Sequence, residues 1–118
     1  MLPRITIITI CYNAASTISR TLRSVQAQTY PHLEYLIIDG ASRDTTLELV
    51  SELAPRAKVY SEPDRGIYDA MNKGLARATG DYVWYVNAGD ALAKATTVED
   101  LVRATCSGDH LPDVLYGD

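Results

Sequence analysis

The apolar positions of this chain come in alternating blocks. Residues 4–12, RITIITICY, are β-branched and apolar, as expected of a strand buried on both faces. In the segment that follows, Ile18, Leu22 and Val25 fall at i, i+4 and i+7, which is one helical stripe. Asn13 stands ahead of it where an N-cap would, and Tyr30-Pro31 closes the helix. LEYLIID (33–39) reads as a second strand, ended by Gly40-Ala41-Ser42. Asp44 or Ser42 can cap the next helix, whose stripe is Leu47, Val50 and Ala54 before Pro55. AKVYSE (57–62) predicts a short third strand and Pro63–Gly66 a loop. Ile67, Ala70 or Met71, Leu75 and Ala78 then mark a third helix that Gly80 ends. Tyr82–Val86 is a fourth strand. Thr97–Thr105 is a fourth helix with Val98, Leu101 and Val102 inward, and residues 113–118 are one more strand.

Strict alternation of β and α predicts an α/β fold, Rossmann-like, with a mostly parallel sheet and helices on both faces. There is no internal repeat, low-complexity tract or linker, and 118 residues supply one core, so residues 1–118 read as one piece. In such sheets ligands bind beyond the carboxyl ends of the strands, where strand order reverses. The polar residues gather there: Asn13 after the first strand, Asp39 after the second, Asp64 and Arg65 after the third, Asn87 and Asp90 after the fourth. One polar residue after a strand is a turn. Four such clusters on one sheet edge form a site.

Composition narrows the ligand. Apolar residues make up 47% and charged residues 22%, an ordinary globular balance. The net charge of −4 argues against a nucleic-acid partner, which calls for clustered Lys and Arg. An acidic protein still binds a nucleotide when a divalent cation neutralises the phosphates. Cys11 and Cys106 lack a C-x-x-C spacing and read as two free thiols in a reducing compartment. The amino-terminal apolar run is too short for a membrane span and has no signal-peptide pattern, so the expectation is a cytoplasmic domain, peripheral to the inner membrane face if it meets a membrane at all.

Known nucleotide loops are missing. Cys11–Ser16 contains no glycine where a dinucleotide fold needs G-x-G-x-x-G, and no P-loop pattern occurs. A signalling receiver domain has this length and alternation, but it needs acidic residues after the first strand to hold magnesium, and Tyr12-Asn13 offers none. Plainer readings stand beside the functional ones. Asp39-Gly40 also suits a β-turn, Arg65 a solvated charge, and Asp69 with Lys73 a surface ion pair at i, i+4. Tyr82, Trp84 and Tyr85 read as sheet packing, and His32 and His110 have no partner pattern.

TIITICYNAASTISRTLRSVQAQTYPHLEYLIIDGASRDTT and SEPDRGIYDAMNKGLARATGDYVWYVNAGD together resemble family 2 glycosyltransferases, most of all bacterial exopolysaccharide and colanic-acid-type enzymes. Four motifs in order, over essentially the whole chain, carry the resemblance. It implies a GT-A fold and transfer of a sugar from a nucleotide-diphosphate sugar to an acceptor hydroxyl with inversion. It places Tyr12 and Asn13 beside the nucleotide base, gives Asp39 the base imide, and sets Arg65 at the base or phosphates. Asn87-Ala88-Gly89-Asp90 takes the place of the family's D-x-D motif, with Asp90 as ligand to Mn²⁺ or Mg²⁺ and Asn87 in support. Asn72 matches an Asn of the family pattern and is expected to orient that loop.

The motif is reduced, because Asn87 and Gly89 stand where carboxylates are usual, so metal and donor binding should be strongly coupled. The resemblance puts the general base downstream of Asp118, which predicts that these residues alone are inactive and expose an unpaired sheet edge able to form homo-oligomers. It implies a saccharide or lipid-linked saccharide acceptor; Asp39 can accept from uracil N3 or from guanine N1 and N2, and a UDP-sugar is expected ahead of a GDP-sugar. The alternative function is a non-catalytic nucleotide-sugar or nucleotide-binding module.

Overall fold

The computed structural model describes residues 3–106 and 114–116. Five strands, β1 (Ile5–Cys11), β2 (Leu33–Asp39), β3 (Lys58–Ser61), β4 (Tyr82–Tyr85) and β5 (Val114–Tyr116), alternate with four helices, α1 (Ile18–Gln26), α2 (Thr46–Leu53), α3 (Ile67–Arg77) and α4 (Thr97–Cys106). The strands form one sheet in the order β3-β2-β1-β4-β5, and every neighbouring pair is parallel. The chain winds outward from β1 to β3, then returns past β1 to lay down β4. The order therefore reverses between β1 and β4, and in open α/β sheets the carboxyl ends at such a reversal are where ligands bind.

Alternation along the strands builds two cores. Ile5, Ile7, Cys11, Tyr35, Ile37 and Trp84 pack with Ile18, Leu22 and Val25 of α1, Val50 of α2, and Val98 and Val102 of α4. Ile8, Leu36, Ile38, Val83 and Tyr85 face the other way, against Ala70 and Met71 of α3. Helices thus cover both faces, which is why β1 and β2 are buried at nearly every position.

Several expectations about boundaries and faces shift. Asn13 does not cap α1: it has a positive φ of 46°, and a turn in which Thr17 and Ile18 N–H both donate to the Ala14 carbonyl precedes the helix. Asp44 serves the start of α2 by accepting from Thr46 N–H at 3.0 Å, whereas Ser42 turns to Asp39. On α3 the buried line runs through Ala70 and Gly74, while Ile67 and Leu75 of the expected stripe are exposed. Gly74 is the reason. A Cβ there would sit 3.0 Å from two carbons of Ile8, so the bare Cα lets the helix settle on the sheet along that line.

At the amino ends of the strands, Glu34 is buried among donors. Its carboxylate accepts from Thr6 and Thr79 hydroxyls and Thr79 N–H, each at 2.8 Å, and pairs with Lys58 at 3.1 Å and Arg4 at 3.5 Å. Burial by itself would raise its pKa. The Thr79, Thr6 and Lys58 hydrogen bonds outweigh burial and lower it to about 2. No helix among the described residues is long and apolar enough to cross a membrane.

Candidate functional site

The carboxyl ends of β1, β2, β3 and β4 bring the predicted residues to one edge. Beyond β1, Tyr12 is 61% exposed. Asn13 is a clamp between loops: its N–H donates to Ser42 Oγ, and its Oδ1 accepts from Arg43 N–H, both at 2.8 Å. Ala14 N–H to Thr46 Oγ1 (2.8 Å) and Ala15 N–H to Asp44 (3.2 Å) complete the seam. The left-handed backbone at Asn13, tolerable for an Asn, aims its amide across to the β2–α2 loop.

Asp39 ends β2 with 1% exposure. Oδ1 accepts from Ser42 Oγ (2.5 Å) and Cys11 Sγ (3.4 Å), and Oδ2 from Ser42 N–H (2.8 Å) and Ser61 Oγ (2.7 Å). Burial would raise this carboxyl, but the Ser42 and Ser61 bonds hold it below its ordinary value. The neighbouring thiol moves the other way. Burial first, then the charge of Asp39 and the hydrogen bond to it, push Cys11 well up.

The β3–α3 loop brings Asp64 back over Gly40, while its Oδ1 accepts from Gly66 N–H at 3.1 Å. Arg65 is exposed and donates through its backbone N–H to Asp69 at 2.9 Å. The Asp69–Lys73 pair exists at 3.3 Å, yet it is more than a surface pair. Lys73 also meets Glu62 at 3.3 Å and donates to the Pro63 carbonyl at 2.9 Å, which fastens the loop to α3.

After β4, Asp90 N–H donates to the Asn87 carbonyl at 2.9 Å to close a turn, and Gly89 has φ 99°, a conformation that favours glycine. This turn hangs from α1. Thr21 Oγ1 accepts from Gly89 N–H at 3.0 Å and donates to the Asp90 carbonyl at 2.5 Å. Ser24 Oγ takes Leu92 N–H at 3.1 Å, and Gln28 bonds the Lys94 carbonyl and Val98 N–H. Asn72, expected to orient this loop, is exposed on α3 and makes no hydrogen bond to residues 87–90 among the described residues. The reading of the sequence missed Thr21. Its only signal was a polar residue on the buried stripe between Ile18 and Leu22.

Two buried polar atoms lack partners among the described residues: Asn87 Oδ1 and Trp84 Nε1. Trp84 lies in the core, as expected. An orphaned amide oxygen in the turn that ends at Asp90 is of the ligand type a hard cation takes. No three carboxylate, histidine or cysteine side chains gather around such an ion among the described residues. A groove of about 410 Å³ lies at the opposite end of β2, lined by Arg4, Tyr30, Tyr35, Arg56 and Lys58 among others. Arg4 and Lys58 are already paired with Glu34 there.

The model of glycosyl transferase family 2 matches residues 6–112. The chain belongs to that family. An uncharacterized glycosyltransferase of Mycobacterium tuberculosis is 38% identical over 117 residues, which are 98% of this chain and 44% of that protein. A PGL/p-HBAD biosynthesis glycosyltransferase of Mycobacterium bovis is 36% identical over 121 residues, 98% of this chain and 46% of its own. The family 2 chain described here thus spans less than half the length of these relatives. Among solved structures, the mannosyltransferase PcManGT of Pyrobaculum calidifontis, in complex with GDP-Man and Mn²⁺, is 32% identical with a TM-score of 0.74 and covers 80% of this chain and 30% of its own. S. aureus TarS in complex with UDP-GlcNAc has a TM-score of 0.81 at 24% identity, over 88% of this chain and 31% of its own, a likeness of fold. The α/β fold with its parallel sheet is the GT-A architecture that the resemblance implied.

Proposed function

We propose that this chain forms the donor-nucleotide side of a glycosyltransferase that moves a sugar from a nucleoside-diphosphate sugar to an acceptor hydroxyl, with inversion and with the help of a divalent metal. The observation that carries the reading is the Asn87–Asp90 turn. It projects from β4, beside β1 at the reversal of strand order, and Thr21 locks it from α1. The metal complex of the 32%-identical mannosyltransferase supports it.

Asp90, with the unpartnered Asn87 Oδ1, would hold Mn²⁺ or Mg²⁺. Bound there, the ion stabilises negative charge growing on the departing diphosphate. Because so few protein ligands gather among the described residues, metal and nucleotide would bind together. The exposed ring of Tyr12 offers a face to the base, and the Arg65 guanidinium is free to reach the phosphates. Asp39, its lone pairs filled by protein donors, supports this edge from beneath. The acceptor is a saccharide or lipid-linked saccharide of the cell surface, reached from the cytoplasmic side. The reduced metal motif favours a second reading, a nucleotide-sugar-binding module without turnover.

The test is calorimetric titration of GDP and UDP, with and without Mn²⁺, on this chain and on Asp90→Ala. Manganese-dependent binding that the variant loses is the expected result. Metal-independent binding, or binding that Asp90→Ala retains, removes the metal role. No binding of either nucleotide overturns the donor site.

A further inference from the structure

A nucleoside site of this kind needs a group that reads the base, and the resemblance assigned that task to Asp39. The geometry points elsewhere. Asp39 is 1% exposed, and each of its oxygens already receives two protein donors, so it presents no free lone pair to a ligand. Asp64 differs on both counts. It is partly exposed, and its only hydrogen bond among the described residues is the one Oδ1 accepts from Gly66 N–H.

Oδ2 of Asp64 lies directly over Gly40. A Cβ built on that glycine would stand 2.8 Å from Asp64 Oδ2 and 3.4 Å from Tyr12 Cδ1. The missing side chain at Gly40 therefore leaves the space that both the carboxylate and the ring of Tyr12 approach. The arrangement is held rather than loose. Gly66, at φ 115°, turns the chain so that its N–H fixes Asp64, and Asp69 with Lys73 ties the loop to α3. An aromatic face and an unspent carboxylate thus share one small surface at the end of β2.

That pairing selects among bases. Tyr12 stacks on any base, because every base has a π-face. The carboxylate discriminates. Guanine presents N1–H and N2–H₂ side by side, two parallel donors that one carboxylate accepts together in charge-assisted bonds. Uracil presents a single N3–H between two carbonyl oxygens, which repel the second carboxylate oxygen. We propose that Asp64, set over Gly40 beside Tyr12, reads the Watson–Crick edge of guanine, so that this site takes a guanosine-diphosphate sugar in preference to the uridine donor expected from the sequence. This rests on the donor-site reading above and adds the identity of its base.

The test titrates GDP, IDP and UDP into the protein with Mn²⁺. IDP is the analogue of GDP without the 2-amino group. Wild type should bind GDP about tenfold or more tightly than IDP or UDP. Asp64→Asn keeps an acceptor for Gly66 N–H and so preserves the loop, yet puts an amide where guanine needs a carboxylate. It should lower GDP affinity about tenfold and bring GDP and IDP level. Gly40→Ala, which displaces Asp64 without touching its charge, should do the same while circular dichroism stays native. Equal binding of GDP and IDP by wild type, tighter binding of UDP, or an unchanged GDP preference in Asp64→Asn overturns the assignment of Asp64. Failure of wild type to bind any of the three overturns the donor site itself.

Discussion

Thr21 in α1 holds Asp90 by its backbone: the threonine hydroxyl donates to the Asp90 carbonyl at 2.5 Å while accepting from Gly89 N–H at 3.0 Å. Thr21 is fully buried, so water cannot replace either bond. Thr21→Val leaves a donor and an acceptor unpaired and should cost about 1–3 kcal/mol in urea unfolding. It should also weaken manganese-dependent nucleotide binding, since the turn that carries Asp90 loses its anchor. Thr21→Ser, which restores the hydroxyl, should recover binding. A valine variant that titrates like wild type would sink this positioning role.

Glu34 predicts a response to acid. Its pKa is lowered from 4.5 to about 2 in the folded chain. A depressed carboxyl stabilises the fold above its unfolded pKa, and that stability disappears as pH falls toward the folded value. The contribution, roughly 2–4 kcal/mol, should therefore be intact at pH 7 and decline below about pH 4.5. Asp39, also lowered, titrates in the same direction. Urea midpoints at pH 7, 4.5 and 3 should fall steeply for wild type. Glu34→Gln should start lower at pH 7 and change less. Parallel curves for the two proteins would contradict this account.

Gly80 sits against the same network. A Cβ there would lie 2.5 Å from Thr6 Oγ1, 2.7 Å from Thr6 N and 2.9 Å from the Arg4 carbonyl. Two of these are backbone atoms of the β1 region, which cannot swing aside. Gly80→Ala should therefore cost about 3 kcal/mol by denaturant melt, near the upper end for overpacking. Gly66→Ala meets no atom within 4 Å, and its penalty is conformational, from φ 115°. Near-neutral behaviour of Gly80→Ala would refute the close approach.

Cys11 should be chemically quiet. It is buried, its thiol donates to Asp39 at 3.4 Å, and its pKa is pushed up by burial and that neighbouring charge. Only the thiolate is reactive. Alkylation followed by mass spectrometry at pH 8 should leave Cys11 unmodified in native protein and label it after denaturation. Rapid native labelling would show that this end of β1 opens.

The order of elements was legible from the sequence because periodicity is local. The apolar runs at 5–11 and 33–39 and the stripe of Ile18, Leu22 and Val25 state their own geometry. So did the gathering of polar residues after the strands, since a parallel sheet places all those ends on one edge. The faces of α3 were less legible. Which side of a short helix packs depends on how near the sheet it can come, and Gly74 decided that through contacts 36 and 66 residues away in sequence, to Ile38 and Ile8.

The partners of the polar groups lay wholly outside the sequence. Asn13 looked like a helix cap and is a bridge to Ser42 and Arg43, Thr21 drew no reading and anchors the turn of Asp90, and Asp39 looked like a ligand group and has its oxygens bonded by serines. The sequence by itself determined the parallel α/β fold, the family and the edge where polar residues gather, because those follow from local pattern and from topology. Only the tertiary structure decided which carboxylate is free. A lone pair is committed by whichever donors the fold brings within about 3 Å, and for the Asp39 carboxylate those donors lie up to 28 residues away along the chain.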